Sequence, residues 1–170
     1  MIELIQELSV YSQVGQNKKR STINFNELIN HNITDLGALI KKSNATIIVD
    51  KLPFTLEGYQ TELRLVFQNL ITNALKFSKK GTTPHIHISA EQQADFVLFS
   101  VKDNGIGIAA EHKEKIFSIF KRLHTKTEYD GSGIGLAHCQ KIIALHKGEI
   151  WVESEEGQGS TFYFTLPNTA

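Results

Sequence analysis

Between residues 60 and 78 the chain carries Leu63, Val66, Phe67, Leu70, Ile71, Ala74 and Phe77 at helical spacing, an apolar face too broad to leave in water. The rest of the chain must supply a core for that helix. One edge of it is polar in a particular way: Asn69 and Asn73 are one helical turn apart and Lys76 is one turn further, so two amides and an ammonium line up together. Each mid-helix Asn costs some tenths of a kcal/mol relative to Ala. Either these residues are a solvated outer face or they serve a ligand.

The remaining segments provide partners for the helix. Residues 85–90 and 96–101 alternate apolar and polar, the pattern of adjacent antiparallel strands joined through residues 91–95. His85 and His87 share one face of the first strand, but no third ligand for a metal lies nearby, which leaves them as solvated strand residues. Residues 22–25, 46–49 and 54–56 read as short strands, the last two around Pro53. Asn26 and Glu27 open a predicted helix carrying Leu28, Ile29, Ile33, Leu36, Leu39 and Ile40. A further helix is predicted to run to about His146, followed by strands near 149–153 and 161–166. Residues 2–14 show helical spacing through Ile2, Ile5 and Leu8, closed by Gly15. This short stripe reads as the tail of a longer helix, or as a helix that docks on its own domain.

The totals exclude several classes. A chain of 170 residues suits one domain that buries roughly two thirds of its unfolded surface. Lys plus Arg equals Asp plus Glu at 18 each, so net charge gives no footprint for nucleic acid or an anionic membrane. Cys139 is the single cysteine, which fits a reducing compartment and reads as a core thiol. No apolar run approaches the roughly 20 residues of a membrane span, and no signal pattern follows Met1, so the chain is expected to be soluble, without direct membrane contact.

Chemistry concentrates in two glycine-bearing stretches. In Val101-Lys102-Asp103-Asn104-Gly105-Ile106-Gly107-Ile108 a strand pattern delivers Asp103 to its own end, and Gly105 and Gly107 let backbone approach a flat ligand; an ordinary Asp-Asn-Gly turn is the alternative. Gly131-Ser132-Gly133-Ile134-Gly135-Leu136-Ala137 opens the later helix, whose N-terminal N–H groups suit phosphates. The dinucleotide fingerprint fails here, because the segment before Gly131 is polar where a buried strand is needed. A P-loop is absent as well. Residues 109–132 lie between the two stretches, and their polar half at 121–130 offers little to bury, so this is the expected mobile segment.

Four pieces therefore stand in order: the Asn69, Asn73 and Lys76 helix, the Asp103 loop, a segment with Phe117 and Phe120, and the Gly131–Gly135 helix start. Together they suit a nucleotide. A carboxylate can accept from the exocyclic amine of adenine, glycine-lined backbone and Lys76 can meet phosphate, and Asn oxygens are hard ligands suited to Mg²⁺.

At this point the chain resembles the catalytic and ATP-binding domain of two-component sensor histidine kinases, within the wider family of gyrase, Hsp90 and MutL ATPases. LVFQNLITNALKFS resembles the asparagine box, VKDNGIGI the first glycine box, IFSIFKRLH the phenylalanine box, GSGIGLA the second glycine box and GQGSTFYFTLP the closing motif, over roughly residues 21–167. The stretch FKRLHTKTEYDGSGIGLAHCQKII looks most like phytochrome-like and other photosensory or redox kinases. The resemblance implies an α/β two-layer sandwich of the Bergerat type, a mixed sheet of about five strands covered on one face by three helices. It implies ATP and Mg²⁺ as cofactors, with Asn69, Asn73 and Lys76 catalytic and Asn73 the metal ligand. It places Asp103 on the adenine amine and adds Gly105, Gly107, Ile108, Phe117, Phe120, Arg122, Gly131, Ser132, Gly133, Ile134, Gly135, Leu136 and Thr161 to the ATP site.

One departure shapes the functional expectation. The family's phosphoacceptor His is followed by Pro five residues on, and none of the seven His here has Pro at that offset. Residues 1–15 resemble the end of a dimerisation helix and 16–170 the catalytic domain, so the chain is expected to be a fragment of a homodimeric cytoplasmic kinase, soluble or membrane-anchored. That kinase would pass the ATP γ-phosphoryl group to a His on a dimerisation domain outside this chain, and then to a response-regulator receiver domain in a phosphorelay. The fragment alone is not expected to label itself. ATP-hydrolysing relatives carry Glu where this chain has Asn69, which argues against an ATPase; a binding module without chemistry is the other alternative.

Overall fold

The computed structural model describes residue 9 and residues 11–15, 19–119 and 133–168. Strand β1 (Ser21–Asn24) runs directly into helix α1 (Phe25–Asp35). Asn24 is the reason for the sharp change. Its side-chain oxygen accepts from the amides of Asn26 at 3.1 Å and Glu27 at 3.4 Å, while its Nδ2 donates to Glu27 Oε1 at 3.2 Å. The cap thus lies earlier than the Asn26 start read from the sequence, and Asn26 ties the connection instead, exchanging hydrogen bonds with the backbone of Leu52.

The helix predicted to continue through Ile40 is two helices. It breaks at Leu36, and α2 (Gly37–Ser43) follows, ending at Asn44 in the left-handed conformation (φ 52°). None of the α2 residues is fully buried: Leu39 is 48% exposed, and Ile40 packs against the core only partly buried.

Strands β2 (Thr46–Val49) and β3 (Thr55–Gly58) come next, then α3 (Gln60–Lys76), β4 (His85–Gln92), β5 (Phe96–Asp103), α4 (Gly135–Leu145), β6 (Ile150–Glu155) and β7 (Gly159–Pro167). β1 pairs antiparallel with β3, and the other five strands form one mixed sheet in the order β2-β4-β5-β7-β6. Only β2 and β4 run parallel, because the chain between them crosses over through α3. One face of this sheet is buried by Ile86, Ile88, Val97, Phe99, Val101, Phe162, Phe164 and Leu166. Helices α1, α3 and α4 cover it, as the resemblance implies.

Aromatic side chains lock the layers. Phe99 of the sheet stacks on Phe164 with centroids 4.9 Å apart and meets Phe25 of α1 at 4.7 Å, and Phe67 of α3 meets Phe164 edge-on at 5.4 Å. The opposite face is polar or partly exposed, with His85 and His87 in water, His87 Nε2 lying 2.9 Å from Asp50 Oδ1. Among the described residues no cluster of metal-ligating side chains forms. Cys139 is a buried free thiol, pushed up to about 12 by burial.

The described end of the N-terminal segment docks on the helices. Lys141 of α4 donates to the Tyr11 carbonyl at 2.7 Å with its ammonium 4.3 Å from the Tyr11 ring, and Gly15 donates to Glu62 of α3 at 3.3 Å. Among the described residues no helix is long and apolar enough to cross a membrane. The segment expected to be mobile falls largely outside the described residues.

Candidate nucleotide site

Strand β5 ends at Asp103, paired across the sheet with Ser160 of β7. Asp103 Oδ1 accepts from the Gly105 amide at 2.8 Å, closing a tight Asx-type turn, and from the Ser160 amide at 3.3 Å. Burial raises the carboxyl pKa above its ordinary value, and the two amides oppose that rise. A half-buried carboxylate held by backbone is a fixed acceptor facing the space around it.

The turn hangs on the last residues of α3. Ile106 donates to the carbonyl of Phe77 at 2.9 Å, and a Cβ placed on Gly105 would fall 2.5 Å from that oxygen. Gly107, at φ 71°, lies so close to the β6–β7 turn that a Cβ would meet the Glu155 carbonyl oxygen at 2.0 Å. These two glycines therefore make room for the protein's own backbone, a different reason from the ligand clearance read from the sequence. Their effect is to bind three segments into one unit: the end of α3, the Asp103 turn and the β6–β7 hairpin.

Asn73 and Lys76 are thereby placed near the Asp103 turn, both half-buried, with Lys76 Nζ 4.8 Å from the Phe77 ring centroid. Asn69 lies one turn earlier on the same helix. Its Oδ1 lies 3.1 Å from where a Gly135 Cβ would stand, and its amide lies against the Cys139 thiol. Gly135 thus permits the start of α4 to close on α3. Helix α4 begins after Gly133, at φ 76°, and the buried Ile134, with no side-chain cap hydrogen bond from Ile134. The first N–H groups of an α-helix have no acceptor within the helix itself. Leu136 is half-buried against the core.

Other predicted residues are distributed less simply. Ile108 donates its amide to Ser154 Oγ at 2.8 Å. Phe117 closes a 3-10 turn (Lys115–Phe117) and packs edge-on against Phe162 at 6.4 Å, so its described contact is with the core. Phe120, Arg122, Gly131 and Ser132 lie outside the described residues. Thr161 is not brought to this cluster. It pairs with Lys102 and Glu153, and strand alternation turns it to the sheet face opposite Ser160 and Phe162. Ser160, one residue earlier, takes the place beside Asp103.

Sequence reasoning missed Asn104, Ser154 and Ser160. Asn104 accepts from the His85 amide at 2.8 Å and donates to the Thr83 carbonyl at 3.0 Å, fastening the start of β4 to the turn. An Asn in an Asp-Asn-Gly run signals that capacity but not its distant partners. A groove of about 590 Å³ is lined by Tyr11, Phe117, Gln140, Lys141 and Glu149 among others.

Comparison with known proteins now adds to the geometry. Residues 58–170 match the family of histidine kinase-, DNA gyrase B- and HSP90-like ATPases. The chain belongs to that family. Within this ATPase family its likeness is to histidine kinases. It is 46% identical over 168 residues to cyanobacterial phytochrome A of Nostoc sp., a match covering 98% of this chain and 22% of that protein. The chain therefore spans about a fifth of this relative's length. Among solved structures, the nucleotide-free catalytic domain of histidine kinase ThkA aligns with TM-score 0.76 at 34% identity, covering 89% of this chain and 99% of that one. Histidine kinase ThkA in complex with response regulator protein TrrA aligns at 31% identity and TM-score 0.76, over 99% of this chain and 47% of that chain.

Proposed function

We propose that this domain is the catalytic part of a sensor histidine kinase and moves the γ-phosphoryl group of ATP to a histidine on a dimerisation domain outside residues 16–170. The observation that carries the reading is the joint at Phe77, whose carbonyl binds the Asp103 turn to the end of the helix bearing Asn73 and Lys76. One rigid unit then presents a carboxylate for the base at one end and an amide and an ammonium for the phosphates beside it. Asp103 accepts from the exocyclic amine of adenine, Lys76 neutralises phosphate charge, and the first N–H groups of α4 add donors.

Mg²⁺ fits this set through Asn73, whose half-buried side-chain oxygen is a hard ligand one turn before the Phe77 joint, whereas the Asn69 side chain hydrogen-bonds the Cys139 thiol. When bound, the metal supplies charge neutralisation on the phosphate oxygens. In the transfer itself an imidazole nitrogen of the acceptor forms a bond to the γ-phosphorus with its lone pair, the bond from that phosphorus to the β-γ bridging oxygen breaks, and ADP leaves with the electron pair. Neutral imidazole needs no strong general base, so the contribution of this chain is positioning and charge. The ThkA complex with a response regulator supports the next step, transfer to a receiver-domain aspartate. Residues 1–15 are proposed as the end of the dimerisation helix on their resemblance alone; the contacts of Tyr11 with Lys141 and of Gly15 with Glu62 are those of a segment that docks on its own domain.

Radiolabelled ATP tests the proposal. The chain alone should bind ATP and acquire no label, and adding a separate dimerisation domain with its phosphoacceptor His should label that domain. Label in this chain, or no transfer to any of several suitable domains, would overturn it, the latter in favour of a binding module.

A further inference from the structure

The β6–β7 hairpin places Ser154 opposite Ser160. Ser154 Oγ has three polar neighbours, each at 2.8 Å: the Ile108 amide, the Gly159 carbonyl and the Ser160 hydroxyl. A serine hydroxyl has one proton and two lone pairs. The Ile108 N–H takes one lone pair and the Gly159 carbonyl takes the proton. The remaining lone pair faces Ser160, so the Ser160 proton points at Ser154.

That assignment has a consequence at Asp103. Ser160 is 7% exposed and its own amide is bound to Asp103 Oδ1, so it stands beside the carboxylate with little freedom. With its proton committed to Ser154, the Ser160 oxygen offers lone pairs only. An ionised Asp103 is also acceptor-only. Two neighbouring acceptors welcome an amino group and leave a carbonyl oxygen facing lone pairs, an arrangement without a hydrogen bond.

We infer that Ser154 is a positioning residue for base selectivity: it fixes the direction of the Ser160 proton and so keeps the Asp103 end of the site acceptor-only, selecting a purine with a 6-amino group over one with a 6-carbonyl group. This rests on the proposal that Asp103 meets the base. Ser154 acts through Ser160 and touches no nucleotide itself. It also holds the Ile108 end of the glycine turn, so a test must separate selectivity from general loosening.

The ratio of ATP to ITP affinity makes that separation, since the two nucleotides share sugar and phosphates and differ at C6. Calorimetric titration of the wild-type chain, Ser154→Ala, Ser154→Thr and Ser160→Ala gives the ratios. Ser154→Ala frees the Ser160 proton to turn toward a carbonyl and should lower the ATP preference about fivefold, the effect of one neutral hydrogen bond. Ser154→Thr keeps the hydroxyl and should keep the ratio. The double variant Ser154→Ala with Ser160→Ala should lose no more than Ser160→Ala alone, because Ser154 works only through Ser160. If Ser154→Ala does not fold, Ser154→Cys, with its weaker acceptor, should give an intermediate ratio. An unchanged ratio in Ser154→Ala, or in Ser154→Cys where that stands in, overturns the inference alone, as do additive losses in the double variant. Failure of the wild type to bind either nucleotide removes the nucleotide site and the inference with it.

Discussion

The amide of Ile106 donates to the carbonyl of Phe77 at 2.9 Å, which makes the Asp103 turn and the last turn of α3 one mechanical piece. Gly105 lies in this contact, and a methyl group there would stand 2.5 Å from the Phe77 oxygen, close enough to push the turn off the helix. Gly105→Ala should therefore weaken ATP binding at least tenfold while destabilising the domain by about 1–3 kcal/mol. Gly107→Ala should be worse, because a positive φ of 71° adds backbone strain to a 2.0 Å clash. Urea melts with parallel calorimetry measure both effects; equal ATP affinity in Gly105→Ala and wild type would show that the joint does not position the site.

Asp103 carries a pH signature. Burial raises its carboxyl above the ordinary 3.8, while binding of an amine needs the ionised form. ATP affinity should fall as pH drops through the raised value, at a pH above 3.8. Folding shows the opposite sign: the buried acid is favoured over the buried carboxylate, so its contribution is fully present below 3.8 and lost as pH rises through the folded pKa. Asp103→Asn should reduce ATP affinity at pH 7 at least tenfold, since an uncharged amide replaces a charged acceptor, and should abolish the acid limb of binding. Titrations between pH 4 and 7 decide this, and an Asp103→Asn curve parallel to wild type would remove Asp103 from the site.

His146 provides a second pH test, at the opposite end of α3 from the Phe77 joint. Its Nε2 accepts from the Tyr59 amide at 3.0 Å and its Nδ1 donates to the Ile142 carbonyl at 2.8 Å, so the neutral ring joins the end of α4 to the start of α3. Burial is the main cause that lowers its pKa below 6.5, with Arg20 adding to the effect and the Ile142 carbonyl and Glu62 opposing it. The unfolded chain thus takes up the proton first. Stability from this group is fully present above pH 6.5 and declines as pH falls toward the folded pKa. The urea midpoint should drop between pH 7 and 5, and His146→Gln should flatten that drop while costing about 1–3 kcal/mol at pH 7. A variant with the same acid slope would place the titration elsewhere.

Asn73 is expected to give the metal dependence. Wild-type ATP affinity should be higher with Mg²⁺ than with EDTA, and Asn73→Ala should lose that difference. Calorimetry in both buffers reads it; a variant that gains as much from Mg²⁺ as wild type assigns the ligand to another residue.

Periodicity alone placed the α3 helix, the β4–β5 pair and the later helix and strands close to where they lie, because alternation and helical spacing are local records of burial. It missed the helix break at Leu36, since the apolar spacing continues through Leu39 although that side chain stays 48% exposed. The order of motifs was legible too, and with it the family. Thr161 against Ser160 shows where legibility ended. Adjacent residues of a strand point to opposite faces, and only the pairing of Asp103 with Ser160 between β5 and β7 decides which one stands beside the carboxylate.

The amino-acid sequence by itself determined which segments must be helix or strand and which side chains carry charge, amides and donors. Tertiary structure decided what Gly105, Gly107 and Gly135 make room for, which serine lies beside Asp103 and which residues surround Asn69. The physical reason is that burial leaves a periodic trace within one segment, whereas a contact between remote segments depends on register and closeness of approach that no single segment contains.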